Sequence, residues 1–342
     1  MSDSKPKTCV GIVGLGFMGR THVQAFSRHP GCELVAVADR DPARLLGGAS
    51  RGGNLGEASD EPLFDPEFVS TSEEALELID HPDVDLVSIT TPTPTHYGLA
   101  RAVIASGRHL LLEKPVDLDP ARILELGCEA REAGVLAMPA HCMRFWPAWV
   151  WMKAGIDEGR YGRCLRASFL RRGPIPDWNR SFYVDESQSG GAIVDFHIHD
   201  TDYIIHCFGT PSSVTSTGSR RYVTTRYEYP DGPEVVAEGG WLEDPDADFR
   251  MQARIECEQG TMTFDIGRDP EVIVELPGGE LEPHPEASDG GTGYDGQIGA
   301  LLDAISSGSD TPPVTLEDAA ETARVLEAEI ASVEAGGDPR TL

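Results

Sequence analysis

This sequence is short of basic charge, and of lysine in particular. Its 342 residues include four lysines (Lys5, Lys7, Lys114 and Lys153) and 24 arginines against 57 acidic residues, for a formal net charge of −29. A field of that sign repels polyanions, which argues against nucleic acid and anionic membranes as partners. Cysteine is sparse and unpatterned. The seven residues (Cys9, Cys32, Cys128, Cys142, Cys164, Cys207, Cys257) are odd in number and never spaced C-x-x-C, which argues against a disulfide framework and a structural zinc site. No apolar run approaches the ~20 residues of a membrane-spanning helix, and the opening "MSDSKPKTCV" lacks the apolar centre of a signal peptide. A soluble, cytoplasmic protein is expected. No internal repeat or low-complexity tract stands out.

The acids that are present are dispersed ("ASDEPLFDPEF", "WLEDPDADF", "PGGELEPHPEASDG") and read as a solvated surface. Such an acidic, lysine-poor surface suits a halophile's cytoplasm, where molar salt screens the self-repulsion. The alternative is an acidic mesophilic protein whose GC-rich genome favours arginine codons.

Short apolar runs alternate with helical patterns through the first part. The runs are "CVGIV" (9–13), "ELVAVA" (33–38), "VDLVSI" (84–89), "RHLLLE" (108–113) and "GVLAMPA" (134–140), with "SEEALELI" (72–79) and "ARILELGCEAREA" (121–133) between them. The alternation predicts a doubly wound parallel sheet. Residues 47–68, glycine-rich and acidic, read as a long surface loop.

After about residue 145 the pattern changes. A helix is expected in 145–159 once past Pro147, followed by extended segments at 164–172, 212–229, 234–243, 249–260, 261–266 and 271–276. With few helices between them, these predict an antiparallel sheet. Two helices close the chain, at 295–308 and, capped by Thr315, at 316–336. The fold class is α/β, a Rossmann domain over 1–143 and a second α/β domain with a large, mostly antiparallel sheet over 144–342. The helix at 316–336 is a candidate to pack back on the first domain.

In "CVGIVGLGFMGRTH", Gly14, Gly16 and Gly19 lie between a strand and a helix, the context a dinucleotide cradle requires, with Phe17 and Met18 in the turn. Gly14 permits the turn, Gly16 lets backbone approach a pyrophosphate, and Gly19 lets helix and strand pack closely. The helix N-terminus offers N–H groups and positive potential to phosphate. Asp39, 20 residues past Gly19, can accept both ribose hydroxyls and favours NAD; Arg40 beside it leaves NADP open. The other reading of Asp39 is a cap for the next turn.

Three stretches carry the chemistry: "TTPTPTHYGLA" (90–100), "EKP" (113–115) and "SGGAIVDFHIHDTDYIIHCFG" (189–209). Lys114 offers a compact ammonium at a sheet end. If the last stretch is one helix, Asp195 and His199 share a face four residues apart. Imidazole can take a hydroxyl proton near neutral pH, and a carboxylate beside it raises its basicity. His197 and His206 compete for that role. Metal is not expected, since the H-x-x-x-H spacing is missing.

These pieces, with "LLEKPV", "MRFWPAW" and "VTLEDAAETARVLEAEIAS", resemble the glucose–fructose oxidoreductase / inositol dehydrogenase / rhizopine catabolism (GFO/IDH/MocA) family along essentially the whole chain. The resemblance implies Lys114 as catalytic lysine and Asp195 and His199 as the acid and histidine of the active-site motif. It implies Thr91, Pro92 and His96 beside the cofactor, Glu113 with them, and Arg144 near cofactor or substrate. It also implies a homodimer or homotetramer. The loop at 47–68, His141 and Cys142 depart from the family pattern. The expected activity is oxidation of a secondary hydroxyl of a sugar, inositol or related polyol by NAD, or ketone reduction. Arg171, Arg172, Asp177, Trp178, Asn179 and Tyr183 are candidate substrate contacts. Alternatives are a non-catalytic NAD-responsive regulator and NAD-dependent glycosidase chemistry.

Overall fold

In the computed structural model, residues 7–47, 62–177, 179–283 and 291–342 are described. The chain forms two compact units, Met1–Cys142 with Thr292–Ala320, and Met143–Gly291 with Glu321–Leu342. The segment Thr292–Ala320, placed in the second domain on sequence, therefore packs with the first. Part of the 47–68 loop, residues 48–61, lies outside the described residues.

The first unit is built on six parallel strands: β1 (Thr8–Val13), β2 (Cys32–Ala38), β3 (Ser70–Ser72), β4 (Leu86–Ile89), β5 (His109–Leu112) and β6 (Ala137–Pro139). Their order is β3-β2-β1-β4-β5-β6. Strands this apolar must be covered on both faces, and Val10, Ile12, Leu86, Val87, Ile89 and Leu110–Leu112 are indeed buried. The order reverses across β1 and β4, and at such a switch point the carboxyl ends of the strands form a crevice. The accompanying helices are α1 (Phe17–Arg28), α2 (Ala75–Ile79), α3 (His96–Ala105) and α4 (Pro120–Ala133).

In the second unit α5 (Pro147–Asp157) begins at the proline that the sequence marked. The nine-stranded sheet contains β7 (Cys164–Pro174), β8 (Ser213–Gly218), β9 (Tyr222–Glu228), β10 (Glu234–Leu242), β11 (Arg250–Cys257), β12 (Gly260–Asp265), β13 (Val272–Glu275), β14 (Leu281–Pro283) and β15 (Arg340–Thr341). The order is β14-β13-β12-β11-β7-β10-β9-β8-β15, and every pairing is antiparallel except β7 with β10. Between β7 and β8 come α6 (Arg180–Val184), α7 (Glu186–Ser189), α8 (Ala192–Asp195) and α9 (Ile198–Phe208).

Two longer helices follow the sheet strands, α10 (Gly293–Ser307) in the first unit and α11 (Leu316–Glu334), which contributes to both. Thr315 and Asp318 exchange side-chain and backbone bonds in a capping box at the start of α11.

An aromatic core fixes α5 and α9 on the sheet. Trp149, fully buried, lies 4.5 Å from Tyr203, 5.4 Å from Phe264 and 6.1 Å from Phe169 between ring centroids. Such pairs add about 0.5–1.5 kcal/mol each beyond their buried area. Tyr203 also donates to the Trp149 carbonyl at 2.6 Å.

Candidate active site

The turn after β1 is shaped by contacts that leave no room for side chains. Gly14 takes φ +92°, and a Cβ on Gly19 would stand 1.8 Å from the Gly14 carbonyl oxygen, so α1 can start there only with glycine. At Gly16 the situation is the opposite: a Cβ would meet nothing within 4 Å. Gly16 caps α1 without a side-chain hydrogen bond, and a helix N-terminus carries the positive potential that attracts an anion. Phe17 and Met18 are half-buried in that first turn. The arrangement fits a pyrophosphate.

Asp39 is buried at the end of β2 and accepts from the Leu15 N–H at 2.6 Å and the Asp41 N–H at 2.9 Å. Arg44 reaches the same carboxylate at 3.3 Å, while Arg40 is exposed. Asp39 thus ties the cradle to the second strand and caps the next turn. Since a carboxylate has about four acceptor positions, ribose contact stays compatible with both bonds.

At the ends of β4 and β5 a buried polar chain stands behind Lys114. His22 of α1 bonds Ser88 at 2.8 Å and Glu113 at 3.1 Å, and the Lys114 N–H donates to Glu113 at 3.1 Å. Burial alone would raise the Glu113 carboxyl; the His22 bond and the His22, Lys114 and His96 charges outweigh it and hold the carboxyl below its usual range. His96 is buried, its ring nitrogens 2.8 Å from the Pro115 carbonyl and 2.6 Å from that of Thr91. Burial pushes this imidazole down, against the pull of the two carbonyls. His96 is a strut that holds the Thr91–Pro92 turn against the Lys114–Pro115 turn. Glu113, expected beside the cofactor, is a buried support for Lys114, which is itself half-exposed.

The motif of the second unit departs from the sequence reading in one respect. Its residues do not form one helix: α8 ends at Asp195, Phe196–His197 make a turn, and α9 starts at Ile198. Asp195 and His199 therefore belong to different helices, and the four-residue helical spacing does not relate them. α8 itself starts only after Gly190 and Gly191, both at positive φ (+75° and +80°), where a Cβ would strike Val194 at 2.6 Å and the Arg220 carbonyl at 2.8 Å.

Burial then sorts the motif. His197, Asp200, Thr201 and Asp202 are buried, whereas Asp195, Phe196 and His199 are partly exposed. Each buried member is anchored. Arg171 grips Asp200 with two bonds of 3.0 and 3.1 Å; Arg144 grips Asp202 at 3.0 and 2.7 Å, joined by Thr322 at 3.2 Å. Glu329 of α11 accepts from Thr201 (3.1 Å), Tyr227 (2.9 Å) and Thr225 (3.1 Å), and stands 3.3 Å from His197. Burial would lower the His197 imidazole, but the Glu329 charge and hydrogen bond outweigh it and raise it. His197 is thereby excluded as an exposed base. His206, half-buried in the last turn of α9, is pushed down by burial and by Arg144 and Lys153.

The sequence search finds the same architecture. Residues 8–141 match the oxidoreductase family's NAD-binding Rossmann fold, and residues 149–263 match the GFO/IDH/MocA C-terminal domain. The chain belongs to the GFO/IDH/MocA family. Inositol 2-dehydrogenase of Rhizobium meliloti is 30% identical over 211 residues, covering 61% of this chain and 58% of that protein. 1,5-anhydro-D-fructose reductase of Ensifer adhaerens is 30% identical over 193 residues, 56% of this chain and 54% of that protein. The match thus spans little more than half the length of these curated relatives. A levoglucosan dehydrogenase solved with NADH and levoglucosan superposes with a TM-score of 0.82 at 20% identity, covering 98% of this chain and 99% of that one. A putative myo-inositol dehydrogenase from Sinorhizobium meliloti 1021 superposes with a TM-score of 0.78 at 22% identity, covering 98% of this chain and 99% of that one. The first domain is an NAD-binding Rossmann domain.

Among the other expected contacts in this GFO/IDH/MocA chain, Arg171 is buried and committed to Asp200. Arg144 is committed to Asp202 in the same way. Arg172 is half-buried, Asp177 and Asn179 are exposed, and Tyr183 packs edge-on against Trp241 at 5.7 Å. Trp178 lies outside the described residues. His141 and Cys142 are buried. Sequence reasoning missed His22 and Glu329. Glu329 had a signal, an acid at helical spacing from Val325 and Leu326 on the buried face of α11. No group of His, Cys, Asp or Glu suited to a metal ion occurs among the described residues.

Proposed function

We propose that this chain is an NAD-dependent dehydrogenase that oxidises a secondary hydroxyl of a sugar, inositol or related polyol, or reduces the corresponding ketone. The observation that carries the reading is the sorting of the motif, in which the buried His197, Asp200, Thr201 and Asp202 are tethers while Asp195 and His199 stay partly exposed near its start; His206, also partly exposed, lies in the last turn of α9. Bound NAD supplies the hydride acceptor. His199 takes the hydroxyl proton, Asp195 orients it, and the Lys114 ammonium hydrogen-bonds the same oxygen as negative charge develops there. Asp39, fixed by Leu15 and Asp41, supports NAD over NADP, since a second anion beside it is repelled. The names of the two curated relatives support a polyhydroxy substrate. The working form is a homodimer or homotetramer in the cytoplasm.

The test follows nicotinamide reduction across inositols, aldoses and lactones with NAD and NADP in parallel. His199→Ala should lose about 10²–10⁴ of turnover while binding NAD as the parent does. A matching loss of cofactor affinity, or unchanged turnover, overturns the assignment.

A further inference from the structure

Two of the scattered cysteines meet in the second sheet. Cys164 opens β7, Cys257 closes β11, and the two are register partners across this antiparallel pair. Arg166 opposes Glu256 while Cys164 opposes Cys257, so Leu165 is an extra residue, a bulge on β7. The bulge decides which way Cys164 points. On β11 the buried phase runs Met251, Ala253, Ile255, and Cys257 continues it. On β7 it runs Arg171, Phe169, Ala167 and would next fall on Leu165. The extra residue turns Leu165 outward, 42% exposed, and brings Cys164 into the phase of Cys257. Opposed residues of an antiparallel pair have Cα atoms about 4.5–5.5 Å apart, inside the roughly 4.4–6.8 Å that a disulfide spans.

Cys164 Sγ donates to the Arg166 carbonyl at 3.5 Å. The interaction between the two facing thiols raises Cys164 and holds Cys257 below its ordinary range. Cys207, the nearest further thiol to act on Cys164, is pushed up to about 12 by burial and stays protonated. Both members of the pair are half-buried and are free thiols.

We propose that Cys164 and Cys257 form an oxidisable dithiol that a low-molecular-weight disulfide, such as glutathione disulfide, converts to an intrachain disulfide. The Cys257 thiolate attacks one sulfur of the reagent, forming a mixed disulfide and expelling one thiolate. Cys164 passes its proton to that thiolate, then attacks Cys257 Sγ and expels the second. The reagent is reduced to two thiols as the protein pair is oxidised to one disulfide.

The experiment treats the folded full-length chain with glutathione disulfide, blocks residual thiols with an alkylating agent and maps the peptides without reduction. The expected product is a Cys164–Cys257 cross-linked peptide with the mass of a pair of hydrogens lost, reversed by dithiothreitol. Cys257→Ser should form no internal cross-link, and Cys164→Ala should hold glutathione on Cys257. Exposed Cys128, which alkylates in every variant, shows that the reagents are active. Glutathione adducts without a cross-link, a cross-link to Cys207, or no adduct on Cys257 in Cys164→Ala would each overturn the proposal.

Discussion

At Gly19 a single methyl group is enough to test the cradle. Gly19→Ala would drive a Cβ into the Gly14 carbonyl, and backbone cannot yield as a flexible side chain can. The expected cost is about 1–3 kcal/mol or more, with weakened NAD binding, checked by denaturant unfolding and cofactor titration. Gly16→Ala, which adds its methyl to open space, should unfold like the parent and lose only cofactor affinity. The glycine turn was legible because a tight turn and a close helix–strand approach need glycine at one spacing. His22, which braces Glu113 from 91 residues away, was not, since its partner is set by the packing of α1 against the sheet.

His197 gives a residue-scale prediction in pH. Its folded value is raised, so the His197–Glu329 pair stabilises fully below the ordinary imidazole value of about 6.5 and its contribution fades as pH climbs through the folded value. The stability gap between the parent and His197→Asn should shrink as the pH rises above about 6.5. A gap that widens would reverse the assignment.

Among the elements, α9 is held by three buried charged contacts rather than by its own propensity. Removing one partner of a buried pair costs about 3–5 kcal/mol. Glu329→Ala, which strips the acceptor from Thr201, Thr225, Tyr227 and His197, should lose an amount in that range by urea unfolding. Glu329→Gln, which keeps an acceptor, should lose less. A loss below about 1 kcal/mol for the alanine variant would class the contact with exposed pairs. Periodicity located α5, α10 and α11 well because each buries a continuous stripe. It left open whether the motif is one helix, because apolar spacing survives across the Phe196–His197 turn. The short strands β3, β14 and β15 went unseen for a related reason: two or three residues carry no alternation, and only their pairing partners define them.

For the whole molecule, the excess of 57 acids over 28 bases leaves many carboxylates without a basic neighbour. Most ion pairs that do form are exposed, and such pairs contribute about 0–1 kcal/mol each. Screening of the net repulsion should therefore outweigh weakened pairs as the Debye length falls from about 8 Å to about 3 Å. The thermal midpoint is expected to rise steadily with KCl up to molar concentration and to rise less with sucrose; a flat or falling KCl profile would reject a salt-adapted surface. Alternation of strands and helices, then consecutive strands, made both sheets legible in outline. The return was anticipated only for the helix at 316–336, of which residues up to Ala320 join the first unit; the return of 292–315 and the single parallel pairing of β7 with β10 were not, because both depend on contacts between distant stretches of chain.

That return has a practical consequence for anyone dissecting the protein. Arg28 on α1 pairs with Asp295 on α10 at 2.5 Å, and Arg131 on α4 pairs with Glu317. A fragment cut off after Cys142 would expose the surfaces that these later helices cover. Excision of a well-behaved nucleotide-binding module thus calls for splicing 292–320 back on through a designed linker, not for a single stop codon.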